Sequence, residues 1–356
     1  ASFVIDERLE RLPVATIGGE NVITFDRDNK HLESLAFTKV DLLPSRVLEV
    51  IYNTWSQLTQ SDREKYNFND HKTYQLLREQ NKDYVFQLKS KGIHKVMEEI
   101  NPRTLNDIML GLALYRPGPK EQQNKLYRNK MNKIYHLTDD NGNEIPDTDE
   151  LTPILKETFG IIIYQEQVME IAQVWSGFSL GEADLLRDAI SKKKVNLMEK
   201  LKHSFFDRAN SIGRSQETTN YIFKLIEKFS EYGFGKSHAA EYATITYETA
   251  YLKANHPKEF FASLLNDNIK KFKICARIKQ ELKEKQIPLV AANIKFPIKY
   301  FKVIDGRVHQ GMMNIPGLNE KDIDLFLQEF KKHNGDIQKM KISRDLVKKL
   351  KTVGFF

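Results

Sequence analysis

Phe159-Gly-Ile-Ile-Ile-Tyr-Gln-Glu-Gln-Val-Met-Glu-Ile-Ala172, followed by Gly177-Phe-Ser-Leu-Gly-Glu-Ala-Asp-Leu-Leu-Arg-Asp-Ala-Ile-Ser-Lys-Lys-Lys194, is the stretch that decides the fold class. In its second half Ser179 is a fitting helix cap, and Ala183, Leu186 and Ile190 recur at helical spacing, so they face a core. Arg187 then falls close to the buried edge, and Lys192, Lys193 and Lys194 gather just past the last turn. The same periodicity predicts helices over 161–174, 181–190, 218–229 and 239–254. Upstream, Ser45 caps a helix through Val47, Leu48 and Ile51, and Asn69, Asp70 and Thr73 open another that carries Tyr74, Leu76 and Leu77. Residues 102–135 read as helix, break, helix, because Arg116-Pro-Gly-Pro119 cannot continue a helix. A polar stretch from Thr138 to Glu150 reads as a loop.

The first 50 residues have a different period. Strands are predicted over 3–6, 21–25 and 35–43, and alternation in the last puts Phe37, Lys39 and Asp41 on one face. The tail from Ile287 mixes short strands over 299–303 and 307–312 with two helical stretches. The fold class is therefore mainly α with a small α+β part.

With 356 residues, two or three domains are expected. Hydrophobic content of 40% with 29% charged residues describes a soluble globular protein, and no apolar run approaches the roughly 18 residues of a membrane span. A single cysteine, Cys275, excludes an internal disulfide framework and a multi-cysteine zinc site. The first residues lack a signal-peptide pattern, so the cytoplasm is the expected address. Net charge is +7, and the segment after Lys253 holds about two basic residues for every acidic one. Such asymmetry suits a polyanion, although solvated lysine faces produce the same count.

Three segments bear on chemistry. Arg116 stands at a helix end beside a stiff turn, where a guanidinium suits phosphate. Arg187 with the lysine triplet suits a triphosphate or a DNA backbone. Gly233-Phe-Gly-Lys-Ser-His-Ala-Ala240 opens a helix of small residues with Lys236, Ser237 and His238 at its start, resembling an anion-binding helix start but without P-loop spacing.

Taken in order, these motifs resemble the bacterial DNA polymerase III alpha (DnaE-type, C-family) polymerases. The likeness rests on the Lys-x-Asp strand at Lys39 and Asp41, Val85-Phe-Gln-Leu-Lys-Ser90, Arg116-Pro-Gly-Pro119, the Gly-Ile-Ile-x-Tyr-Gln-Glu-Gln-Val-Met helix, the Gly-Glu-Ala-Asp-Leu-Leu-Arg helix, and the Tyr-Gly-Phe-x-Lys-Ser-His-Ala-Ala stretch. It is dense from about 70 to 265 and looser at both ends. By resemblance, residues 1–55 are the end of a palm, 56–268 a helical fingers domain, and 269–356 a fingers extension leading into a helix-hairpin-helix region. Met313-Asn-Ile-Pro-Gly-Leu-Asn319 resembles that hairpin, which implies phosphate contacts at Gly317 and Asn319. Asn319 replaces the usual second glycine and is expected in the left-handed conformation that asparagine tolerates.

The resemblance further implies primer-template DNA and deoxynucleoside triphosphates as partners, and two magnesium ions as cofactors. It implies a sliding clamp and other replisome subunits through regions not in this chain, and no membrane. Asp41 looks like the third catalytic, metal-binding aspartate and Lys39 like the palm lysine. Arg187, Lys192, Lys193, Lys194, Lys236, Ser237 and His238 look like nucleotide-binding residues, supported by Arg116. The family's Pro-Asp-x-Asp-x-Asp-Phe segment is not in this sequence, which begins at Ala1 and stops inside the hairpin region, so the chain alone is expected to be inactive. The pairs Asp26/Asp28, Asp147/Asp149 and Asp322/Asp324 read as structural. One departure bears on nucleotide binding, since Asp188 stands where the family commonly has a second arginine. Leu42-Leu-Pro-Ser-Arg46 also departs from the family's usual Phe-Leu-Gly-Leu-Arg. A non-enzymatic DNA-binding module would explain the basic tail and the hairpin but not the Arg187 helix. A kinase or another nucleotidyltransferase would need metal carboxylates and a glycine-rich loop that the sequence lacks.

Overall fold

The computed structural model describes residues 2–5, 14–23, 38–41, 45–79, 82–115, 120–192, 194–229 and 233–356. The chain divides into two units, Ala1–Glu49 and Val50–Phe356.

The smaller unit is built of strands. β1 (Ser2–Ile5) pairs antiparallel with β4 (Thr38–Asp41), and β2 (Val14–Ile17) forms a hairpin with β3 (Glu20–Ile23). The register sets Lys39 opposite Val4 and Asp41 opposite Ser2. Strand β2 escaped the sequence reading, while β1, β3 and β4 lie within one or two residues of the predicted spans or inside them. Phe37, Leu42 and the Asp26/Asp28 pair lie outside the described residues.

The larger unit is helical. In chain order it contains α1 (Arg46–Trp55), whose first turn precedes the boundary, α2 (Gln60–Glu64), α3 (His71–Arg78), α4 (Lys91–Ile100), α5 (Leu105–Leu114) and α6 (Lys120–Asn132). A short α7 (Thr152–Leu155) between two 3-10 turns leads to α8 (Gln165–Ser176), α9 (Leu180–Ser191), α10 (Val195–Ser211) and α11 (Gln216–Phe229). Then come α12 (Lys236–Asn255), α13 (Pro257–Asp267) and α14 (Phe272–Glu284). Caps set several of these starts: Asp70 accepts from Thr73 N at 2.8 Å, and Thr104 and Asp107 form a reciprocal capping box. Residues 116–119 are outside the described set, but α5 ends at Leu114 and α6 starts at Lys120, so the proline turn does separate two helices.

Helix α12 is the hub, packed against α3, α5 and α13. It is buried on several sides, with Ala239, Ala243 and Ala250 giving a narrow profile and Tyr247, Tyr251 and Leu252 filling the gaps. Tyr247 donates to Asn67 O at 2.7 Å and accepts from Asp70 N at 3.0 Å, which pins the approach to α3. A second core lies among α8–α11, where Trp175, Phe178, Leu186, Phe205, Phe223 and Phe229 interlock. Burying side chains of this size contributes on the order of 2–3 kcal/mol each.

The prediction of a helix from residue 161 is corrected. Ile161–Ile163 are not helical, Tyr164 is extended (φ −107°, ψ 147°), and α8 begins at Gln165. All four side chains are buried, so the segment has no polar face for a surface helix to present. Phe159 and Gly160 are both left-handed (φ 54° and 76°), and a Cβ on Gly160 would run into the His136 carbonyl. Tyr164 bridges in parallel to Phe234, with Gln165 N donating to Phe234 O at 2.9 Å.

The tail forms a three-stranded sheet in the order β5 (Leu289–Val290), β7 (Arg307–His309), β6 (Lys302–Ile304). Beyond it, α15 (Glu320–Lys332) and α16 (Arg344–Thr352) bury Ile323, Phe326, Leu346 and Leu350 against Met312 and Phe355. No helix among the described residues is long and apolar enough to cross a membrane.

Candidate functional site

Helix α9 carries the first group of basic side chains. Ser179 Oγ accepts from Glu182 N, while the Glu182 carboxylate accepts from Ser179 N at 2.8 Å, so both ends of a capping box are closed. Ala183, Leu186 and Ile190 are buried, as their spacing requires. That fixes the rotation of the helix and leaves Arg187 partly exposed. Its Nε donates to Asp184 Oδ1 at 2.8 Å. One residue on, Asp188 receives two lysines at once: Lys192 at 2.8 Å and Lys194 at 2.9 Å. Hydrogen bonds from Lys192 and then Lys194 hold its carboxyl at about 2, well below the usual aspartate range. Lys193 lies outside the described residues.

The second group stands at the start of α12. The first helical amides have no partner inside their own helix. Here Lys236 N donates to both carboxylate oxygens of Glu166, at 3.1 and 3.0 Å, from the first turn of α8. The Lys236 ammonium pairs with Glu157 at 2.7 Å. Ser237 and His238 are exposed on the same turn, with the imidazole packed between Phe234 and Tyr242 at centroid distances of 5.2 and 4.1 Å. At the helix start that the sequence likens to an anion-binding one, a carboxylate of this chain caps the first amide. Sequence reading missed Glu157, Glu166 and Asp184 as partners of the basic groups. For Glu166 no signal was available, because the bridge that brings the start of α8 beside Phe234 joins residues 70 positions apart.

Beside Lys236 lies a cleft of about 490 Å³ lined by Asn106, Tyr135, Lys156, Glu157, Phe159 and Glu170, among others. Tyr135 stacks on Phe159 at 5.6 Å.

The hairpin at 313–319 places Gly317 in the left-handed region (φ 80°) on an exposed turn after a single 3-10 turn at Met312–Asn314. Asn319 is corrected: it is extended (φ −104°, ψ 164°) and caps α15, accepting from Asp322 N at 2.9 Å and donating to Asp322 Oδ2 at 2.7 Å. An N-cap needs extended backbone, so the two roles exclude each other. Asp324, the other member of its pair, holds Lys299 at 2.7 Å, in keeping with a structural reading. Arg116 lies outside the described residues. Lys39 and Asp41 sit in the smaller unit on β4, as given above.

These geometries can be set beside known proteins. Residues 46–213 match the bacterial DNA polymerase III alpha subunit finger domain family. The DNA polymerase III subunit alpha of Staphylococcus epidermidis is 32% identical over 340 residues, covering 94% of this chain and 31% of that protein. The chain belongs to the bacterial DNA polymerase III alpha family. A second member, from Chlamydia pneumoniae, is 34% identical over 357 residues, covering 97% of this chain and 28% of its own length. A third, from Staphylococcus aureus, is 32% identical over 328 residues, covering 90% and 30%. The chain thus spans less than a third of the length of these curated relatives. The helices α8 and α9 that carry Glu166, Arg187 and Asp188 fall inside the stretch matched by the finger domain.

Polymerases of this kind imply a divalent metal. Among the described residues no group of three or more histidine, cysteine, aspartate or glutamate side chains is placed to hold one. Of the three aspartates implied by the resemblance the sequence carries only Asp41. The residues present do not by themselves make a two-metal site.

Proposed function

We propose that this chain supplies the nucleotide-binding and DNA-contacting part of a DNA-directed DNA polymerase, with primer-template DNA and deoxynucleoside triphosphates as its ligands. The observation that carries the reading is the set of Arg187 on α9 with Lys192 and Lys194 just past its last residue, three partly or well exposed cations within the finger-domain match beside a helix whose other face is core. In the reading, Arg187 contacts a triphosphate oxygen and the lysines, with Lys193, screen the remaining charge. Lys236, Ser237 and His238 border the base-pair side, and Arg116 supports the pocket. Lys39 and Asp41 belong to the catalytic strand, and Asp41 is one ligand of a magnesium site whose other carboxylates the chain lacks. The turn at Gly317 lends exposed backbone to a duplex phosphate. Clamp and replisome attachment are assigned to parts of the parent outside this chain, in the cytoplasm.

The test is fluorescence-anisotropy binding of a primer-template duplex at low and moderate salt, with and without matched nucleotide and magnesium. Salt-sensitive binding that tightens with the matched nucleotide is expected. Salt-sensitive binding indifferent to nucleotide would favour a DNA-binding module instead. In a complete parent enzyme, Arg187→Ala is expected to raise the nucleotide Michaelis constant about tenfold, the loss of one charge-assisted contact.

A further inference from the structure

Among the described residues, Arg187, Lys192, Lys194 and Lys236 are engaged by carboxylates of the same chain. Asp184 holds Arg187, Glu157 holds Lys236, and Asp188 holds both Lys192 and Lys194. Asp188 differs from the others in two respects. It bridges two lysines separated by a residue, 2.8 and 2.9 Å away, so one carboxylate organises the end of the helix. It also stands where the resembled polymerases commonly carry a second arginine.

We propose that the Asp188 carboxylate is a built-in competitor for the triphosphate: it occupies the lysines when no nucleotide is bound and must release them for phosphate to be contacted. The proposal rests on the assignment of Arg187 and the lysines to a nucleotide site. A carboxylate and a phosphate oxygen offer an ammonium the same charge-assisted acceptor, so both cannot use the full set of Lys192 and Lys194 protons. Asp188 on α9 is partly shielded, with its side chain 21% exposed, whereas Lys192 and Lys194 are 65% and 48% exposed. The lysines can therefore swing outward while the carboxylate stays. Exposed pairs are weak, so displacement is easy but carries a cost on every binding event. Asp188 thereby sets the site toward weaker binding and faster release.

The experiment titrates inorganic tripolyphosphate into the whole chain by calorimetry, using the natural sequence, Asp188→Asn, the double variant Arg187→Ala/Lys194→Ala, and Glu217→Gln as a distant acidic control in α11. Asp188→Asn is expected to bind about three- to tenfold more tightly, the range of two weak exposed pairs, with the control unchanged and the double variant weakened. Unchanged affinity in Asp188→Asn, with the double variant still weakened, would overturn the competitor role and leave the nucleotide site standing. Equal binding by all four proteins would overturn both. A carboxyl titration followed by NMR gives an independent reading that needs no variant. Tripolyphosphate should return the Asp188 carboxyl toward 3.8 from about 2 as the lysines leave it, and no movement at saturating ligand would sink the proposal.

Discussion

Lysine meets carboxylate in two settings in this molecule, and the settings lead to different roles. In the helical frame around α12, Lys253 is buried. Its ammonium lies 2.8 Å from Glu281 of α14, donates to Asp83 O at 2.6 Å and sits 5.8 Å above both Tyr84 and Phe261. Burial pushes its pKa down, opposed by Glu281. At the end of α9 the same pairing of groups, Asp188 with Lys192 and Lys194, stands largely in water. A desolvated pair has nowhere else to go, so it fixes three segments of chain. A solvated pair exchanges partners readily and fixes no segment of chain.

The largest expected effect is at the buried end. Glu281→Gln leaves the Lys253 charge without its counter-ion in a place water does not reach, and should cost roughly 3–5 kcal/mol, read from the urea midpoint. Replacing both partners by apolar residues, Lys253→Met with Glu281→Leu, should recover most of that loss. If the single variant costs less than about 1 kcal/mol, the buried pair behaves like an exposed one and the contrast between the two regions fails.

The Asp107–Lys130 pair lies between these two extremes. Asp107 is buried within its own capping box, accepting from Arg103 N at 2.8 Å and Thr104 N at 3.1 Å, and it pairs with Lys130 of α6. Lys130 also donates to Ile100 O at 2.8 Å, and burial lowers its pKa. Asp107→Asn keeps the shape and the cap but removes the charge, so it should cost about 2 kcal/mol, the worth of a charged hydrogen bond. A loss equal to that of Glu281→Gln would show that the half-open pair is as fully desolvated as Lys253–Glu281.

This contrast also marks what the sequence could and could not reveal. Apolar spacing was enough to orient α9, because Ala183, Leu186 and Ile190 leave a single face for the core and so place Arg187. The caps at Asp70 and Ser179 were legible for the same local reason. Lysine burial was not legible. Nothing near Lys82, whose side chain is fully buried with Glu98 at 3.1 Å, or near Lys253 separates them from solvated neighbours, because their partners lie 16 and 28 positions away. A count of basic residues therefore overstates the charge available to a polyanion. Ile161–Tyr164 was misread because four buried apolar residues in a row suit a helix or a strand equally, and a distant bridge to Phe234 decides between them. Asn319 was misread because its tolerance of left-handed backbone was weighed ahead of its strength as a cap.

The smallest expected effect lies at the exposed end and concerns acid. The folded Asp188 carboxyl, at about 2, lies below its ordinary 3.8. Its contribution to stability is therefore complete above about pH 3.8 and disappears as pH falls through about 2. Lys192→Ala with Lys194→Ala removes both causes of the shift, so the variant should lose that segment of its acid limb. Near neutral pH its urea midpoint should change by no more than about 0.5 kcal/mol, since solvent and salt already screen the pairs. Following both proteins from pH 5 to pH 1.5 tests the difference. Salt at about 1 M should erase it, because the Debye length is then only about 3 Å. A stability loss at neutral pH as large as that of Glu281→Gln would mean that the basic end of α9 is part of the frame, and its lysines would then not be free to turn toward a phosphate.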